Sequence, residues 1–161
     1  METKQIPTLY EWMGGKPAIE RLIGELYRRV PKDPLLGPVF AQMGPEHFKH
    51  VAAFIAEVFG GPKEYSERYG GHPNMIRRHM GRSLTEEQRK RWMQLLLECA
   101  DVQGIPDDPE FRSALVSYLE WGSRLAVINS QPGGATVVEG SPMPRWGWGE
   151  AKGPYTPEEA K

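Results

Sequence analysis

Apolar residues at three- and four-residue spacing, cut by glycine and proline, run from about Thr8 to Asn129. That period belongs to amphipathic helices, and no segment alternates over a strand length between turn signals. The chain is therefore expected to be all-α. Thr8 caps a short opening helix over 8–13 that Gly14-Gly15 stops. Pro17 suits the first turn of the next helix, whose apolar face is Ile19, Leu22, Ile23, Leu26, Tyr27 and Val30. Pro31 and Pro34 end it.

The stretch Asp33 to Phe40 is too short and too rich in proline and glycine for a long helix. It reads as a connector that sends Leu35, Leu36, Val39 and Phe40 into the core. A helix from about Pro45 to Phe59 presents His47, Val51, Phe54, Ile55 and Val58 on one face. Gly60-Gly61-Pro62 then terminates it. Residues 63–82 read as mostly irregular, with a short helix around Pro73 to His79. Thr85 and Gln88 have the spacing of a capping box, and Leu84, Trp92, Leu95, Leu96 and Cys99 form the buried stripe behind it. Gly104 and Pro106 stop this helix. Asp108 caps a last one that opens at Pro109 and turns Phe111, Leu115, Tyr118, Leu119 and Leu125 inward.

From Gln131 the composition changes to proline and glycine with little helical pattern. The expected organisation is thus a helical domain over 1–130 and an extension over 131–161, extended or disordered. Trp146 and Trp148 are the exception, since two tryptophans in a solvated tail are unusual. They are expected to pack on the domain or on a partner. A net charge of −1 over 161 residues gives no reason to expect nucleic acid or an anionic membrane as partner. No apolar run is long enough to cross a membrane, and METKQIPT lacks the apolar core of a signal peptide. The single Cys99 sits among leucines as a small buried hydrophobe, and a cytoplasmic protein is expected.

His79 carries the strongest chemical signal. It ends the stretch Gly71-His72-Pro73-Asn74-Met75-Ile76-Arg77-Arg78-His79 and has no histidine or cysteine partner at zinc spacing. The facing Glu and His pattern of a di-iron bundle is missing as well. A metal site built on one histidine needs a cofactor to supply the remaining ligands. Haem does this, and arginine meets its anionic propionates. The faces carrying Phe54, Val58, Leu95 and Leu96 are candidates for the flat apolar slot. Tyr27, His47 and Trp92 bring three polar-tipped side chains inward from three helices. Taken singly, each is equally well explained as packing or as a surface residue.

Beyond this, the chain resembles the truncated haemoglobins of group II. The likeness rests on Leu26-Tyr27-Arg28-Arg29-Val30, on Pro34 through Phe40, and on Phe59-Gly60-Gly61-Pro62 with Tyr65. It continues through Gly71-His72-Pro73 to Arg78-His79 and ends with Arg91-Trp92. It covers about residues 8–130. The resemblance implies a two-over-two helical sandwich around haem b. It implies His79 as the iron ligand, with Tyr27, Trp92, His47 and Val51 on the distal side. Phe40 would pack on the haem, Tyr65 and Arg78 would lie near the propionates, and Phe54, His72, Ile76 and His50 are further candidate cofactor contacts. Ile76 stands where the family often has a second arginine, which shifts the anchoring toward His50, Arg77 or Tyr65. Val51 is apolar where a polar residue is frequent.

The leading expectation is a globin that reversibly binds oxygen, NO, CO or another diatomic ligand, as a monomer or homodimer. The alternatives are a haem enzyme of nitric oxide dioxygenase or peroxidase type fed by a separate reductase, a haem-based sensor or interaction module, and a helical scaffold without cofactor.

Overall fold

The computed structural model describes residues 5–157. Two short-range devices start the chain. Thr8 accepts from the Glu11 amide while Glu11 returns to the Thr8 amide, and this capping box opens α1, Leu9–Met13. Gly14, left-handed at φ 110°, ends α1 and starts α2, Gly15–Arg29. Pro31 then forces a single tight turn over Val30–Lys32.

Asp33 organises the connector that follows. One carboxylate oxygen accepts from the amides of Leu35 and Leu36, both at 3.0 Å. The other takes the Arg91 Nε–H at 2.6 Å, across the molecule. Leu36 is driven into the core as expected. Leu35, Val39 and Phe40 are half-buried, and Gly37–Phe40 forms the one-turn helix α3.

Helix α4, His47–Val58, is buried on every side from Ala52 to Val58. The single inward face expected from its sequence is thus too narrow. The helix packs against α2 and α5, and the C-terminal segment also reaches it. Its buried Glu57 accepts from the Ser66 amide at 2.8 Å and from the Ser66 hydroxyl.

Residues 63–82 are more regular than their sequence indicates. Glu64–Arg68 forms α5 and Gly71–His79 forms α6, two residues longer at its start than expected because Gly70 and Gly71 adopt positive φ. The predicted capping box of Thr85 and Gln88 opens α7, Glu86–Val102. Asp108 accepts from the Phe111 amide to open α8, Pro109–Ser130.

Helix α2 packs on α4 and α7, and α7 packs on α8. Phe59, Phe111, Leu22, Leu26, Leu96 and Leu115 close the core between them, and Cys99 is fully buried there. No strand occurs among the described residues. None of their helices is long and apolar enough to cross a membrane.

The C-terminal segment has little regular structure beyond a single tight turn over Gly149–Ala151, and it folds back on the helices. The Trp146 amide donates to the Val58 carbonyl at 2.9 Å. Trp148 donates its indole N–H to the Pro7 carbonyl at 2.8 Å. Both tryptophans pack on the helical body, which is one of the two expected outcomes.

Candidate functional site

A cavity of about 220 Å³ opens between α2, α4, α6, α7 and α8. The iron-ligand, distal and most of the haem-contact residues named from the sequence line it, whereas Arg77, offered there as an alternative propionate anchor, does not. Tyr27 comes from α2, Phe40 from α3, and His47, His50, Val51 and Phe54 from α4. Tyr65 comes from α5, His72, Ile76, Arg78 and His79 from α6, and Trp92 from α7. The slot expected from Phe54, Val58, Leu95 and Leu96 needs correction. Only Phe54 lines the cavity, while the other three are packed in the core. Leu119, Gly122, Leu125 and Ala126 of α8 form that wall instead.

On the α6 side, His79 Nδ1 lies 2.8 Å from the Met75 carbonyl oxygen. A carbonyl can only accept, so Nδ1 carries the proton and Nε2 keeps its lone pair. Nε2 has no hydrogen-bond partner among the described residues. Burial lowers the His79 pKa, with the Met75 bond opposing and the Arg82 charge assisting. Burial lowers that of His72 too.

Across the cavity, the Tyr27 hydroxyl lies 2.8 Å from His47 Nδ1, and its ring meets Phe40 edge-on at 5.6 Å. Burial pushes the Tyr27 hydroxyl far above its ordinary range, against a smaller pull from Arg82, so it stays protonated. The His47 pKa is pushed down to about 4, first by burial and then by the charges of His50, Arg78, Arg82 and His79. A neutral His47 accepts from the Tyr27 hydroxyl at Nδ1 when its own proton is on Nε2. The Trp92 indole N–H has no acceptor among the described residues and lines the same space.

Toward the rim, His50 stacks on Tyr69 at 4.2 Å between ring centroids. Tyr65 is buried, which raises its pKa, and its oxygen accepts from Asn74 at 3.3 Å. Arg78 forms no ion pair among the described residues, whereas Arg77 pairs with Glu139.

Sequence reasoning missed several lining residues. Arg82 follows the α6 helix, and its charge reaches Tyr27, His47 and His79. Arg89 is buried with Glu86, Met93 and Ser123 as partners, and nothing in its local pattern separates it from the exposed arginines around it. Gly122 and Ala126, one turn apart on α8, also line the cavity, and an added Cβ at Gly122 would meet the Tyr118 ring of the same helix.

The donor set fits haem. One imidazole nitrogen is free for iron, the walls are apolar, and cationic and phenolic groups stand at one edge. Among the described residues no group of three histidine, cysteine or acidic side chains could hold a bare metal ion.

Comparison with known proteins leads to the same class. The sequence pattern of the bacterial-like globins matches residues 8–121. The group 1 truncated haemoglobin of Nostoc commune is 45% identical over 82 residues, 49% of this chain and 64% of that protein. The chain thus matches just under two thirds of that relative's length. The group II truncated haemoglobin of Bacillus anthracis superposes with a TM-score of 0.70 at 28% identity, covering 79% of this chain and 95% of the other. The truncated oxygen-avid haemoglobin of Bacillus subtilis gives 0.67 at 30% identity, covering 75% and 99%.

The architecture is the two-over-two sandwich of a truncated haemoglobin, with haem as its cofactor. The chain belongs to the bacterial-like globin family.

Proposed function

We propose that this globin binds oxygen reversibly, with His79 as the axial ligand and Tyr27, Trp92 and His47 around the bound ligand. The similarity to an oxygen-avid haemoglobin supports the choice of oxygen. The single observation that carries the polar side of the reading is the Tyr27 hydroxyl inside the cavity, 2.8 Å from His47 Nδ1.

When bound, haem would supply an iron able to take a diatomic ligand, on which partial negative charge would develop. The chain's own groups answer that charge. Tyr27 offers an O–H donor, and Trp92 an N–H that no other group claims. His47 holds the Tyr27 hydroxyl in place, and Val51 keeps the adjoining wall apolar. His79 is held in the tautomer that leaves Nε2 free, through its bond to Met75. Phe40, Phe54, His72 and Ile76 would hold the ring from the cavity walls, and Arg78, Tyr65 and His50 would be available to its propionates.

In this reading residues 1–130 are the haem domain and 131–161 an extension. The family match, which ends at residue 121, and helix α8, which ends at Ser130, support that boundary. The working protein is a cytoplasmic monomer or homodimer whose iron is kept ferrous by a separate reductase.

Absorption spectra of the haem-loaded protein test the proposal. Ferric and ferrous bands that shift with oxygen and with carbon monoxide, and an axial signature lost in His79→Ala, are expected. Uptake of haem with an unchanged axial signature in His79→Ala would reject the ligand assignment.

A further inference from the structure

The segment after α8 lies outside the globin match, yet it touches the helix that carries His79. Helix α6 has bends at both ends. Gly70 before it and Gly71 at its first position adopt positive φ, and Gly81 and Ser83 adopt positive φ after it. Only Gly71, Pro73 and Ile76 of its nine residues are buried. A helix hung this way takes its position from what is tied to it.

Two sets of ties come from the end of α8 and beyond. The connector after α6 is bonded to the last turn of α8. The Ser83 amide donates to the Ser130 carbonyl at 2.9 Å, and the Gln131 side chain donates to the Leu84 carbonyl at 2.8 Å. The chain then runs back along the molecule. Glu139 pairs with Arg77, two residues before His79. Farther on, Trp146 is anchored to the Val58 carbonyl, meets the Tyr118 ring edge-on and packs tilted on Trp121, both at 5.7 Å. The segment is thus fixed at Gln131 and at Trp146, and its middle reaches α6.

We propose that residues 131–148 form a strap that positions α6, with Glu139 as the positioning residue and Trp146 as the anchor. An exposed ion pair is weak when its partners meet freely in solution. Here both ends of the strap are already fixed, so Glu139 is presented to Arg77 at high effective concentration and little ordering remains to oppose the pair. Anchorage by aromatic burial and positioning by charge are separate functions of one segment. The strap acts on α6 itself. Its consequence for haem rests on the reading of His79 as axial ligand.

The test uses the full-length, haem-loaded protein and three variants: Glu139→Arg, the reversed pair Arg77→Glu with Glu139→Arg, and Trp146→Ala. Three quantities are read: hydrogen exchange of residues 72–84 against α2, the rate of haem transfer to an acceptor globin, and the iron–histidine stretching frequency. Glu139→Arg is expected to raise exchange in α6 several-fold while α2 stays at the wild-type rate, to speed haem loss and to shift the stretch. The reversed pair is expected to restore all three. Trp146→Ala is expected to raise exchange in 132–148 and in α6 together. Wild-type exchange of α6 in Glu139→Arg, or failure of the reversed pair to restore it, would overturn the strap. Both of those variants are confined to exposed side chains, so the result does not depend on Trp146→Ala folding. Faster exchange in α6 with unchanged haem loss and stretch would support the strap and count against His79 as the ligand.

Discussion

The Tyr27 hydroxyl and His47 Nδ1 stand 2.8 Å apart on facing helices, inside the cavity. With His47 neutral, the tyrosine proton already has an acceptor in the protein. A ligand that needs that proton must compete with His47 for it. The pair therefore tunes the donor as well as orienting it.

Two substitutions separate these roles. Tyr27→Phe removes a hydrogen bond to a partly charged ligand, a loss of about 1.5–3 kcal/mol. Oxygen release is then expected to quicken roughly tenfold or more. His47→Leu removes the competing acceptor and leaves the hydroxyl for the ligand alone, so release is expected to slow. Stopped-flow release rates check both. Faster release in His47→Leu would make His47 a donor in its own right.

Acid stability follows from the same histidine. Its folded pKa, about 4, lies below the value near 6.5 of an unfolded chain. The unfolded state then binds more protons between those values, so the contribution is present above about pH 6.5 and lost as pH falls toward 4. Tyr27, His50, Arg78, Arg82 and His79 are the groups that face it. His72 and His79 are shifted the same way by burial and add to the wild-type slope. Urea midpoints at pH 7 and pH 5 are expected to differ less in His47→Gln than in wild type. Equal differences would remove His47 from the account.

Much of this architecture could be read from local pattern. The Thr8 and Asp108 caps and the Thr85 capping box need only a few adjacent residues, and all three form. The site residues came from the spacing of polar tips on apolar faces and from the resemblance, and they line one cavity. What escaped depends on distant partners or on short elements. Helix α5 has five residues, too few to display a period. Arg89 is buried only because α8 brings Ser123 and Glu120 to it. Where Trp146 and Trp148 would dock was illegible, because their acceptors, Val58 and Pro7, lie far back in the chain.

Asp33 is expected to matter more for stability than its place in a connector implies. It holds two backbone amides and the Arg91 guanidinium while itself buried. Asp33→Ala leaves those donors without their acceptor and is expected to cost about 2–3 kcal/mol. The Arg91 hydrogen bond, with the two amides, holds the carboxyl below its ordinary range despite burial. Its contribution is therefore present above about pH 4 and lost as pH falls further. Thermal unfolding at pH 7 and pH 3 checks this, with the gap between Asp33→Ala and wild type closing at the lower pH.

Two glycines in turns are expected to respond to alanine in opposite order to their backbone angles. Gly81 has φ 76° but nothing within 4 Å of an added Cβ, so Gly81→Ala meets only the left-handed penalty of about 1–2 kcal/mol. Gly61 has no such angle. Its added Cβ would lie 2.7 Å from the Tyr10 ring and 2.8 Å from the Ala56 carbonyl oxygen. The backbone cannot easily retreat, because the Gly61 amide donates to that same carbonyl at 2.7 Å and the Tyr10 amide donates to the Phe59 carbonyl at 3.0 Å. Overpacking at a fixed backbone costs about 1–3 kcal/mol, and here two neighbours must move together. Gly61→Ala is expected to lower the melting temperature by more than Gly81→Ala. Calorimetry on the two variants decides it, and the reverse order would mean that the junction of α1 with α4 is softer than its hydrogen bonds indicate.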